Sequence, residues 1–318
     1  MTYREGVEFS LDELTYKSYK GVDFEAFVPK GFTSEDPITE DFIPEDFREL
    51  WRKTLKSGMH GICLSMYEDG QQPGDTITEA QVERRVKTLK PYTKWIRSFS
   101  CIEGNEHIPR LAHKQGLKTM VGAWLSDDDE KNEREIESLI ALAAEGCVDI
   151  AAVGNEVLYR NDLTLEQLLK FMKRVRKAIP SHIPIGYVDA YYEFSLHPEL
   201  VEHSDVILSN CYPFWEGCPE EYALNHMQNM YGQALHAARW KKVIITETGW
   251  PSKGEPLKGS VPSEINAIKY FINTQAWAKN ANIEVFYFSS FDESWKVGPE
   301  GEVGAYWGLW DKNENLKF

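Results

Sequence analysis

From about residue 59 to the C-terminus, short β-branched or apolar runs alternate with longer segments of helical period. A parallel sheet wrapped by helices has this pattern, and few other architectures do. Eight runs can be counted: MHGICLSM from Met59, WIRSFSC from Trp95, KTMVGAW from Lys118, VDIAAVG from Val148, IPIGYV from Ile183, DVILSNCY from Asp205, KVIITE from Lys242 and EVFYFSS from Glu284. Most are continuously apolar instead of alternating, as strands buried on both faces are. Between them, Thr78 with Gln81 and Thr164 with Gln167 have capping-box spacing. The second pair precedes an apolar face at Leu165, Leu168, Leu169, Met172, Val175 and Ile179. Further helices are expected at 105–115, 129–145, 218–239 and 262–280. The expected fold is therefore a single α/β domain, a closed (β/α)8 barrel over residues 59–318, favoured over an open doubly wound sheet. Residues 1–58 read as an N-terminal extension packing on the barrel, too short for a large core of their own, with a possible helix from Pro44 to Lys56.

Composition narrows the partners. The net charge of −15 argues against nucleic acid and anionic membrane surfaces, while a neutral polymer would not be repelled. No apolar run approaches the roughly 20 residues of a membrane-spanning helix, so no membrane insertion is expected, and the chain reads as a monomer. MTYREGVEFS offers no secretory apolar stretch, which suggests a cytoplasmic protein, or a periplasmic or secreted one if a signal was removed. The five cysteines have no CxxC spacing and read as buried thiols. The eight histidines show no HxH or HExxH, and GxxxxGK[ST] and GxSxG are absent, so no metal, cofactor, phosphate cradle or serine elbow is expected.

In such a barrel the active site is assembled at the C-terminal ends of the strands. The fourth run ends in Asn155 and Glu156 and the seventh in Glu247, carboxylates where a buried strand offers no local reason for one. A single Glu at a strand end is usually solvated or capping. Two of them, 91 positions apart, make a pair able to protonate a departing glycosidic oxygen and to meet the anomeric carbon from the other side. Asn155 is placed to bond a sugar 2-hydroxyl, and Tyr212 to hold Glu247 ionised by donating its hydroxyl hydrogen. The acid's proton affinity is expected to be raised by partial burial and by its partner's charge. Tyr67, Asp69, Asp189, Tyr192, Phe214, Trp215 and Trp250 also stand at or just beyond strand ends, where polar groups and flat aromatic faces suit a pyranose ring.

These segments resemble glycoside hydrolase family 17, the β-1,3-glucanase and licheninase family, and its bacterial branch in particular. The likeness runs from about Gly58 to Lys317 and rests on GICLSMYEDGQQPGD, IRSFSC, VGAWL, VGNEV, NCYPFW, ITETGWPS and SSFDESWKVG, in that order. Membership implies a retaining barrel in which the Glu of the NE pair, Glu156, is the acid/base and the Glu of ETGWPS, Glu247, is the nucleophile. It also implies that Glu293 and Lys296 bind sugar hydroxyls beside the cleaved bond, with Trp295 as a platform. EGCPEEYALNHMQNMYGQALHAARW reads as one helix, with no room for the extra subdomain of plant members, and FDESWK departs from the plant pattern. The expected activity is hydrolysis of a β-1,3-glucan such as laminarin. Alternatives are a β-1,3-glucanosyltransferase on the same site and, from another class, a non-catalytic glucan-binding protein.

Overall fold

The computed structural model describes residues 45–318. Most of the expected N-terminal extension, residues 1–44, lies outside the described residues. Eight parallel strands close on themselves in sequence order: β1 (Met59–Cys63), β2 (Thr93–Ser98), β3 (Lys118–Ala123), β4 (Ile150–Asn155), β5 (Ile185–Ala190), β6 (Ile207–Asn210), β7 (Val243–Thr248) and β8 (Val285–Tyr287). Closure is made where Gly61 and Ile62 pair with Phe286 and Tyr287. Every residue of β4, β5, β6 and β7 is buried, which is why these runs lack polar alternation.

All eight expected runs contain strands, but β4, β5 and β6 begin two residues later than the apolar pattern suggests, and just before β4 and β6 an acidic side chain takes an amide of the neighbouring strand. Asp149 Oδ2 accepts from Thr119 N at 2.8 Å, and Asp205 Oδ2 from Ile185 N at 3.0 Å. The intervening helices start at side-chain caps. Thr164 makes the full reciprocal capping box with Gln167, whereas Thr78 only accepts from Gln81 N. Gln81's own side chain turns instead to Met66 O at 2.6 Å and so braces the loop after β1. The stretch between β6 and β7 is one helix, Glu220–Ala238, as expected.

The helix Glu45–Lys56 buries Phe47, Trp51 and Leu55, four residues apart and so on one face. Trp51 meets Phe271 of the helix Glu264–Ala281 with ring centroids 5.6 Å apart, and Phe318 at 5.2 Å edge-on. Arg48 pairs with Glu264 at 3.2 Å. All five cysteines are buried free thiols.

Candidate active site

A cleft with a cavity volume of about 280 Å³ opens over the strand ends, and Glu156 and Glu247 both face it. The two carboxylates arrive there differently. Glu247 stands inside β7, where the pairing with β6 shifts register between Ser209 and Asn210. Just beyond it, a side chain on Gly249 would meet the Phe288 carbonyl oxygen at 1.9 Å, so the motif TETG needs a glycine at that point. Glu156 lies one residue past β4, after a register shift between Ala152 and Asn155. Gly154 has φ +86° and Glu156 φ +51°, so the strand's two-sided alternation is broken and Asn155 and Glu156 both line the cleft.

A buried polar network joins the pair. Asn210 Nδ2 donates to Glu156 Oε1 at 2.8 Å and to Glu247 Oε1 at 3.2 Å. Its orientation is fixed because its Oδ1 accepts from Thr246 Oγ1 at 2.7 Å. Glu247 also accepts from Arg97 Nη1 at 2.6 Å and, on its other oxygen, from Tyr212 Oη at 2.8 Å. Arg97 continues to Asn155 Oδ1 at 2.7 Å and Thr246 O at 2.9 Å. Burial alone would depress the Arg97 guanidinium, but the charge and hydrogen bond of Glu247 outweigh it and hold it above its ordinary value. Glu247 is thus held by one cation and two neutral donors.

Opposite, the segment after β8 forms a second charged group. Glu293 accepts from Tyr67 N at 2.9 Å and pairs with Lys296 at 2.9 Å, both buried. Burial works against the Lys296 ammonium, yet Glu293 and Glu300 hold it above its ordinary range. Burial pushes the Glu300 carboxyl up to about 7, with Lys296 opposing, and Glu300 accepts from Trp307 Nε1 at 3.0 Å. Among the described residues no group of three or more His, Cys, Asp and Glu is placed to hold a metal ion.

This geometry coincides with a family match. The model of the BtgE/BtgC glycoside hydrolase domain fits residues 61–308, about three quarters of the chain. The solved glycoside hydrolase family 17 β-1,3-glucanosyltransferase from Rhizomucor miehei superposes with a TM-score of 0.74 at 30% identity, covering 82% of this chain and 96% of that one. The chain belongs to glycoside hydrolase family 17. An active-site mutant of the Rhizomucor enzyme, in complex with laminaritriose, matches equally. A glucan 1,3-β-glucosidase of Saccharomyces cerevisiae is 27% identical, over 77% of this chain and 86% of its own length. One from Schizosaccharomyces pombe is 28% identical, over 89% and 93%.

Within this family 17 barrel, the cleft wall includes Tyr67, Asn155, Tyr212, Trp215, Glu293, Trp295 and Lys296 from the sequence reading. Five other residues do not line it, and their reading as sugar contacts is corrected. Phe214 and Trp250 are fully buried behind the wall, ring centroids 5.2 Å apart, and Trp250 Nε1 is spent on Val261 O at 3.0 Å. They support Trp215, whose ring lies 5.3 Å from Phe214, and have no surface to offer a ligand. Tyr192 packs edge-on against Tyr191 at 5.3 Å, and Asp189 is wholly buried within β5. Asp69 is exposed and tied to Lys312 at 2.7 Å and Ser294 at 2.6 Å. Sequence reasoning missed Arg97, Asn210 and Glu300 as site residues. Arg97 carried a signal, a permanent charge inside a strand run, and Asn210 ended one; Glu300 carried none.

Proposed function

We propose that this cleft cleaves β-1,3-glucan with retention of configuration, Glu247 acting as nucleophile and Glu156 as general acid and then base. The observation that carries the reading is the shared Asn210 amide. Because both carboxylates bond one nitrogen, their nearest oxygens can be no more than about 6 Å apart, the two bond lengths laid end to end. Retaining enzymes keep their carboxyls about 5–5.5 Å apart, and inverting ones about 6.5–9.5 Å to admit a water. The surroundings fit the same roles: Glu247 is held by the Arg97 guanidinium and the Tyr212 hydroxyl, and Glu156 is bonded by the Asn210 amide.

Catalysis then proceeds in two displacements. A Glu247 oxygen bonds to the anomeric carbon as the glycosidic C–O bond breaks, and the Glu156 proton passes to the departing oxygen. Water next gives a proton to Glu156 while its oxygen bonds to the anomeric carbon and frees Glu247. Asn155, its carbonyl oxygen taken by Arg97, offers its N–H to the 2-hydroxyl. Trp215, Trp295 and Tyr67 present aromatic surface to the sugar faces, and Glu293 and Lys296 bind hydroxyls. The named activities of the relatives and the laminaritriose complex support β-1,3-glucan as substrate.

A second reading keeps the same intermediate and lets a sugar hydroxyl replace water; the Rhizomucor glucanosyltransferase favours it. A non-catalytic glucan-binding role fits poorly with two carboxylates held in working order. We also propose the bacterial branch of the family, on the likeness of the segments from Gly58 to Lys317; the relatives named above are fungal. We further propose that the enzyme works as a monomer and that the described part of the N-terminal extension, residues 45–58, packs on the barrel, as the docking of the helix Glu45–Lys56 suggests.

The test is a time course on laminarin and laminarihexaose with the first anomer read by proton NMR. A β-anomer is expected, and products longer than the hexaose would indicate transfer. An α-anomer as first product would overturn the nucleophile assignment.

A further inference from the structure

The loop after β4 carries a cation that the reaction as written leaves unused. Glu156 sits at φ +51°, between Gly154 at φ +86° and Asn161 at φ +58°. An ordinary residue keeps such a conformation only where its surroundings over-determine it. Arg160 supplies much of that constraint. Its Nη1 donates to Asn155 O, and its backbone N–H donates to Glu156 O at 2.9 Å. These are the carbonyls of the two peptide groups that flank the Glu156 Cα. Because each peptide group is planar, fixing both oxygens fixes the two torsions between them. The first of these peptides is also held at its other end, where Glu156 N donates to Val188 O of β5 at 2.8 Å.

The guanidinium is itself held on three sides. Nη2 donates to Leu125 O, just past β3, at 2.9 Å, and Nε donates to Asp162 Oδ2 at 2.7 Å. Its flat face lies 4.5 Å over the ring of Trp124, which lines the cleft. With 15% of its side chain exposed, Arg160 is a strut between the ends of β3 and β4, not a solvated surface charge. The planar fork makes this possible, since it donates in several directions within one plane while its face stacks on a ring. We propose that Arg160 is a positioning residue for the acid: it locks the turn that aims Glu156 at the departing oxygen and ties that turn to Trp124 in the cleft wall. This rests on the reading of Glu156 as the acid. Misplacing a reacting group by about 1 Å can cost roughly 100-fold in rate. Only bond cleavage that needs the proton feels a misplaced acid; a good leaving group departs without it.

The experiment compares kcat/KM of the full chain, Arg160→Met and Arg160→Lys on phenyl and dinitrophenyl laminaribioside. The two substrates share their glucan part and differ in how far the departing oxygen needs a proton, so changes in binding cancel in the ratio. Arg160→Met keeps a stem against Trp124 and removes every guanidinium donor. It is expected to lose about 100-fold on the phenyl substrate and only a few-fold on the dinitrophenyl one. Arg160→Lys retains the charge without the fork and should show the same selectivity to a smaller extent. A loss concentrated on the phenyl substrate in either variant supports the proposal, including the case where the other fails to fold. An equal loss on both substrates, as a merely structural role would give, or no loss, overturns it. Glu156→Gln tests the underlying reading separately. If its losses on the two substrates are equal, the acid assignment fails and the proposal falls with it. If its loss is selective while that of the Arg160 variants is not, the positioning role alone fails.

Discussion

Arg97 offers the sharpest test of how the site is held. Arg97 is 1% exposed, and its guanidinium makes three hydrogen bonds to oxygen, of 2.6, 2.7 and 2.9 Å, to Glu247, Asn155 and Thr246 O, while lying 4.3 Å over the Phe99 ring. Arg97→Met keeps most of the side-chain volume and removes the charge. Glu247 is then left as a buried carboxylate without its ion partner, a loss that typically costs about 3–5 kcal/mol. For a barrel of this size about 2–4 °C is lost per kcal/mol, so the melting temperature should fall by roughly 10 °C. The catalytic effect has a definite sign. Without the guanidinium, Glu247 loses one hydrogen bond and Asn155 loses its anchor, so kcat/KM on laminarin should fall. Thermal unfolding by circular dichroism at pH 7 and kcat/KM on laminarin would measure both. Arg97→Lys retains the charge without the fork, so stability should suffer less while Asn155 loses its anchor and the rate falls. An Arg97→Met enzyme melting within 2 °C of the parent, with its kcat/KM unchanged, would refute the network as described.

Three further outcomes are expected. Glu247→Ala should abolish turnover while substrate still binds, and azide should restore part of it as a glycosyl azide; recovery without that adduct would contradict the nucleophile role. Trp51→Ala removes a wholly buried indole between Phe271 and Phe318 and should cost about 3–5 kcal/mol in urea titration, with little change in rate for the folded fraction. The His60 imidazole, stacked on Trp95 at 5.5 Å, is lowered to about 4 by burial, with Glu284 opposing. The unfolded chain then takes up this proton first, so stability is full above about pH 6.5 and is lost as pH falls towards 4, by up to about 3 kcal/mol. Urea midpoints across that window should show the slope, and His60→Phe should flatten it.

The barrel was legible in the sequence because strands buried on both faces cannot hide: β4 and β7 are buried from end to end and open on the apolar runs IAAV and VII. Boundaries were less legible, since Asp149 and Asp205 read as strand residues until their carboxylates are seen taking the amides of Thr119 and Ile185. Glu156 and Glu247 stood out as charges that no buried strand would carry for its own sake. Arg97 met the same criterion on β2 and deserved the same inference. The aromatics could not be sorted, because Trp215 on the wall and Phe214 and Trp250 behind it all occur just past strand ends. Which side of a loop an indole faces is decided by packing across the chain, as when Trp307 comes within 5.4 Å of both Phe214 and Trp215.

Glu156 holds its place at φ +51°, a backbone conformation that costs an ordinary side chain roughly 1–2 kcal/mol and a glycine almost nothing. Folding and chemistry therefore make opposite demands at this position. Inactive variants with Gly or Asn there should outlast the working enzyme on heating. A screen for thermal tolerance that never assays turnover would be drawn towards losing the acid, and a tough but idle barrel would be its natural end point.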